Sequence, residues 1–183
     1  MSKVYVFFAT GFEEVEALTI VDILRRAKVE VEMVSVTGER TVTSSHGVTV
    51  TMDRLFDEID DSADMLVLPG GMPGTLNLKA HKGLTEMIKS YSQRQDKRIA
   101  AICAAPTVFG EMGLLQGRSA TCYPGMEDKL IGADRKTDEV VVDGNIITSR
   151  GMGTAIEFGL KIVSILINDR TAEELASTIV YNR

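Results

Sequence analysis

The sequence predicts a single α/β domain over residues 1–183, a sandwich built on a mainly parallel sheet. Three observations carry that reading. Apolar strand patterns alternate with helical ones along the whole chain, as in βαβ units. The apolar runs ending at Ala9, Leu68 and Ile102 are short, continuous and β-rich, as strands buried on both faces are. Each is followed by small or glycine residues, which places turns where such sheets bind ligands.

In order, Lys3–Ala9 reads as a buried strand and residues 10–12 as a turn. A helix is expected from about Glu13 to Ala27, with Val15, Leu18, Ile23 and Leu24 inward. Residues 29–36 alternate as a half-exposed strand, and residues 41–43 and 48–52 form a hairpin around Ser45-His46-Gly47. A short helix over 55–59 leads to the buried strand 65–68 and to Pro69-Gly70-Gly71. Residues 84–91 are an amphipathic helix, and 92–97 read as a solvated linker. A strand from Arg98, a helix to about Met112 and a strand at 119–122 follow. Asp143-Gly144 marks a hairpin between 140–142 and 146–148, and helices over 153–167 and 171–180 close the chain.

Composition narrows the function. Net charge is −6 with no basic stripe, which argues against nucleic acid. No run nears the roughly 20 apolar residues of a membrane span, and the N-terminal run is too short for a signal peptide. The expected location is cytoplasmic. Cys103 and Cys122 lack C-x-x-C spacing, and His46 and His81 stand far from each other and from both cysteines. Neither a disulfide nor a metal cluster is expected. No glycine loop continues into a phosphate-gripping motif, so no nucleotide cofactor is indicated.

The stretch Arg-Ile-Ala-Ala-Ile-Cys-Ala-Ala-Pro over 98–106 resembles a nucleophile elbow, a strand, a sharp turn and a helix start with Cys103 at the apex. A helix terminus there would favour thiolate. The other reading is a small core residue, because free cysteine is among the most buried types. Gly70 and Gly71 are either a tight turn or a source of amides for an oxyanion. Glu13 and Glu14 suit a helix first turn, whereas Glu16 sits among apolar residues and is less easily explained. Facing a thiol, its stable form would be a protonated carboxyl beside thiolate, able to shuttle protons.

Four blocks then carry a family resemblance: Gly11-x-Glu13-Glu14-x-Glu16, Val67–Gly71, Ala100–Pro106 and Thr148–Thr154. Together and in order they resemble the ThiJ/PfpI superfamily, nearest the branch of the parkinsonism-associated protein deglycase. That resemblance implies a flavodoxin-like three-layer sandwich and a homodimer. It implies Cys103 as reactive cysteine, Glu16 as its partner, Gly70, Gly71 and Ala104 as amide donors, and a cofactor-free glyoxalase or deglycase acting on methylglyoxal, a similar 2-oxoaldehyde or glycated protein groups. The alternative within the same family is a redox sensor or holdase chaperone in which Cys103 is oxidised. The chain departs from the family in two places. Ala104 replaces the histidine that follows the cysteine in protease-like members, so a Cys–His peptidase is not expected. Tyr123 precedes Pro124 where a histidine is common, and it is expected to shape the pocket or hydrogen-bond. An anion contact by Arg26 and His46 is left open.

Overall fold

The computed structural model describes residues 2–182. Strand β1 (Lys3–Phe8) leads into helix α1 (Glu14–Arg26), then β2 (Glu30–Ser35) and the hairpin β3 (Thr41–Thr43) and β4 (Thr49–Thr51). Strand β5 (Arg54–Leu55) with a 3-10 turn at Phe56–Glu58 occupies the segment expected as a short helix. Strand β6 (Met65–Leu68) precedes α2 (Gly74–Ala80) and α3 (Lys82–Ser92). Strand β7 (Arg98–Ile102) enters α4 (Pro106–Glu111). The chain closes with β8 (Ser119–Ala120), β9 (Asp134–Arg135), β10 (Val140–Asp143), β11 (Ile146–Ser149), α5 (Ala155–Leu166) and α6 (Asp169–Thr178).

The main sheet has seven strands in the order β10-β11-β7-β6-β1-β2-β5, all parallel except β10 against β11. Because side chains alternate along β1, Val4, Val6 and Phe8 face one core while Tyr5 and Phe7 face the other. Helices α1, α5 and α6 cover the first face; α2, α3 and α4 cover the second. Both faces are dry, so the buried strands need no polar alternation. The chain leaves β1 for β2 on one side and returns to β6 on the other. The carboxyl ends of β1 and β6 therefore form a switch point in strand order, where open α/β sheets bind ligands.

Several local expectations change. Helix α2 was not anticipated, because its first turn opens on Gly74 after a proline. A Cβ there would stand 2.6 Å from the Phe12 backbone nitrogen, so this weak helix former is set by packing. The segment 92–97 is no loose linker. Asn145 Nδ2 donates to the carbonyls of Tyr91, Ser92, Arg94 and Lys97, and buried Lys97 donates to those of Asp61 and Ala63. His81 caps α3, its Nδ1 accepting Leu84 N–H at 3.1 Å. Of the α1 residues expected to point inward, Ile23 and Leu24 are buried and Leu18 is half-buried, whereas Val15 faces outward. Phe12, Ala17, Ile20 and Val21 are buried as well. None of the described helices is long and apolar enough to cross a membrane.

Candidate active site

Three loops meet at the switch point, and backbone bonds lock them together. Gly74 N–H donates to Gly11 carbonyl at 3.1 Å and Glu13 N–H to Gly70 carbonyl at 2.9 Å. The β3–β4 hairpin straps the first loop through Gly11 N–H to Thr43 and Ser45 N–H to Phe12. The site thus rests on a crosslinked frame rather than on free loops.

Cys103 ends β7. Its N–H still follows the sheet, donating to Ser149 carbonyl at 3.0 Å, and then its φ turns to +65°. A non-glycine residue there carries strain of roughly 1–3 kcal/mol. Small Ala104 and Ala105 on its C-terminal side let the chain bend, and Tyr123 N–H holds the Cys103 carbonyl at 2.8 Å. The thiol is half-buried, and the N–H groups of Ala104 and Gly71 donate to its sulfur.

Glu16 lies in the first turn of α1 and is only 1% exposed. Glu13 caps that helix, its carboxylate accepting Glu16 N–H at 2.7 Å, which fixes the inward aim of the next turn. Glu16 Oε2 accepts Gly70 N–H at 2.9 Å. This commits the Gly70 amide to the carboxyl and takes it away from the oxyanion role expected of it. Glycine is required at 70 for a different reason. A Cβ would stand 2.6 Å from Cys103 Cβ, 2.7 Å from Glu16 Oε2 and 3.0 Å from Sγ.

Burial pushes the Glu16 carboxyl up to about 7, against the hydrogen bonds from Cys103 and Gly70 that favour its anion. Burial, then the adjacent Glu16 carboxylate, pushes the Cys103 thiol up to about 12, although the Ala104 and Gly71 amides pull the other way. The expected lowering by a helix terminus does not prevail. Helix α4 spans only six residues, and desolvation outweighs it. The two groups therefore behave as one unit holding a single negative charge and one proton. Buried Oε1 has no hydrogen-bond partner of ordinary geometry and can accept a proton.

Above the sulfur opens a cleft of about 230 Å³ lined by Gly71, Met72, Cys103, Ala104, Tyr123 and Met126. Tyr123 stands at its mouth. Glu16, Gly70, Gly71, Cys103 and Ala104 are thus brought together, with Tyr123 above them. Arg26 and His46 do not join them: Arg26 pairs with Asp22 at 2.6 Å, and His46 Nδ1 sits 3.0 Å from a Glu14 carboxylate oxygen. The hydrogen bond and charge of Glu14 raise the His46 pKa. Glu13, Glu14 and His46 form a group spaced to hold a cation, with ligand atoms within 4.8 Å of one another. Sequence reasoning saw no metal cluster because 32 residues separate Glu14 from His46. Cys122 is buried, with burial pushing its thiol up to about 11.

Comparisons with known proteins agree with this geometry. The DJ-1/PfpI family model matches residues 2–165. A protein named DJ-1 homolog B from Arabidopsis thaliana is 41% identical over 182 residues, covering 97% of this chain; the chain spans only 41% of that protein's length. A protein named a deglycase from Pyrococcus abyssi is 36% identical over 168 residues, 90% of this chain and 99% of that one. The structure of oxidised DJ-1 from Toxoplasma gondii superposes with a TM-score of 0.92 at 39% identity, covering 100% of both chains.

Proposed function

The chain belongs to the DJ-1/PfpI family, and from that premise we propose that it is a cofactor-free, cysteine-dependent enzyme of the glyoxalase and deglycase type, converting 2-oxoaldehydes such as methylglyoxal to 2-hydroxy acids. The observation that carries this is the pairing of a strained Cys103 with the buried Glu16 carboxyl beneath an open cleft. A thiol and a base held together under an accessible pocket form the unit that nucleophilic catalysis at a carbonyl requires.

In this reading Glu16 carboxylate takes the thiol proton as Sγ bonds to the aldehyde carbon. The carbonyl electron pair moves to oxygen, which receives the proton back, giving a hemithioacetal. Glu16 then removes the hydrogen of the former aldehyde carbon and delivers it to the neighbouring carbon through an enediol, while the hydroxyl proton passes to the second oxygen. The first carbon rises to the thioester level and the second falls to an alcohol, so the electrons balance within the substrate. Water cleaves the C–S bond and restores the thiol. The Gly71 and Ala104 amides at the sulfur would support its negative charge and that of the adjoining oxyanion. Hemithioacetals and hemiaminals on glycated protein groups present the same carbon and fall within the same chemistry. The working form is taken to be a two-fold homodimer; exposed Val15, the half-buried Leu18 beside it and the hollow where Leu18, Ile23 and Ile156 meet Asp22 and Arg26 support a partner there.

Turnover of methylglyoxal by the pure protein is the test. Cys103→Ser should fold and lose all measurable activity, because serine is a far weaker nucleophile at neutral pH. Equal activity in wild type and folded variant would overturn the assignment.

A further inference from the structure

We propose that the cleft above Cys103 selects 2-oxoaldehydes bearing an apolar, uncharged substituent, with Tyr123 and Met126 as the residues that set this preference. The inference rests on the reading of Cys103 as a carbonyl nucleophile and names the substrate class of that site. Tyr123-Pro124-Gly125-Met126 forms a tight turn. Met126 N–H donates to Tyr123 carbonyl at 3.1 Å, and Gly125 has φ +90°. Proline at the second position and left-handed glycine at the third are the signature of a type II turn, which brings its first and fourth residues side by side. Both therefore line the same wall of the cleft. The turn is pinned on two sides: Gly125 N–H donates to Glu127 at 2.7 Å, and Tyr123 N–H donates to the carbonyl of Cys103 itself. A Cβ on Gly151 would meet the Tyr123 ring at 3.5 Å, so that ring rests against the backbone there.

Gly71, Met72, Cys103 and Ala104 complete the lining. Among the described residues, no charged side chain lines the space. Met72 and Tyr123 stay 43% and 51% exposed, large side chains of the lining left in contact with water. A cavity of about 150 Å³ holds benzene, so about 230 Å³ takes a two-carbon oxoaldehyde with a ring-sized substituent. Methylglyoxal would leave much of that apolar wall in contact with water. Anionic aldehydes meet a different obstacle, because the negative charge shared by Cys103 and Glu16 lies directly below in a low-dielectric site.

The experiment compares kcat/KM for phenylglyoxal, methylglyoxal and glyoxylate with wild type and with Tyr123→Ser/Met126→Gln. In wild type, phenylglyoxal should exceed methylglyoxal by about tenfold, the scale of discrimination in an apolar pocket, and glyoxylate should fall below both. In the double variant the ratio of the phenylglyoxal to the methylglyoxal kcat/KM should collapse towards unity; an unchanged ratio would overturn the inference. A second measurement separates this from failure of the enzyme reading. Acetophenone and acetone, which cannot complete the reaction, are titrated into Cys103→Ser with chemical shifts followed at Ala104 and Met126. Tighter binding of acetophenone there, even with no turnover of any aldehyde, supports the cleft's selectivity and sinks only the enzyme reading. Equal binding of the two ketones refutes the selectivity.

Discussion

Replacing Glu16 by glutamine should stabilise the protein at alkaline pH while abolishing its activity, and the size of the effect follows from burial. The carboxyl is 1% exposed, and its pKa rises from 4.5 to about 7 on folding. A raised acid pKa means that the native state holds its proton more tightly than the unfolded chain. Below pH 4.5 both states are protonated and nothing is lost. Between 4.5 and about 7 the unfolded chain releases the proton and the native state does not, so stability falls as pH rises; above 7 the full cost is in place. At 1.36 kcal/mol per tenfold in binding, that cost is roughly 3 kcal/mol. Glutamine is neutral throughout, and its carbonyl still accepts the Gly70 N–H. The stability of Glu16→Gln relative to wild type should therefore grow by about 2–3 kcal/mol between pH 5 and pH 8. For a chain of this length that corresponds to roughly 5–10 °C in Tm. Thermal and urea unfolding across that range would measure it. Cys103→Ser is the control: desolvation is the largest cause of the shift, so removing the thiol should leave the pH dependence largely in place. Parallel profiles for wild type and Glu16→Gln would show that the buried carboxyl carries no such penalty, and the shared-proton account of the site would fall with it.

Gly70→Ala should be as damaging to turnover as losing the thiol, and overpacking against Cys103 and Glu16 should cost about 1–3 kcal/mol of stability; a fully active, equally stable alanine variant would contradict the contact. Graded peroxide followed by peptide mass spectrometry should oxidise Cys103 before Cys122, since Cys122 is 1% exposed and Cys103 opens to the cleft; the reverse order would remove Cys103 from the centre of the chemistry. Light scattering at micromolar concentration should give about twice the 19.9 kDa chain mass; a mass near one chain would refute the two-fold dimer.

Much of the fold was legible because its strands are buried on both faces. Continuous runs such as Met65–Leu68 leave no other assignment, and the Asp143-Gly144 turn marks its own hairpin. What escaped depends on contacts between distant segments. Helix α2 has poor intrinsic propensity, and close packing of Gly74 on the residue 11–12 backbone holds it. Strand β9 is two exposed residues whose pairing with β8 no local pattern announces. The segment 92–97 looked like a solvated linker because its anchors, Asn145 and the inward carbonyls of 61 and 63, lie far along the chain.

The site divides in the same way. A carboxylate among apolar neighbours and a cysteine between alanines are anomalies that sequence exposes, since each violates what its position would otherwise favour. Electrostatics are a different matter, because desolvation belongs to the assembled environment and not to the motif. A sequence reader sees a helix following Cys103 and infers a stabilised thiolate. The structure adds that the helix is short, that Glu16 is sealed behind Gly70, and that one amide expected for an oxyanion is already bound. Those three facts move the reactive proton from a resting property of the sulfur to a property of the pair. In the proposed reaction the nucleophile appears only as its partner accepts the proton, when a carbonyl enters the cleft. Selectivity for that carbonyl then rests with the Tyr123–Met126 wall of the cleft.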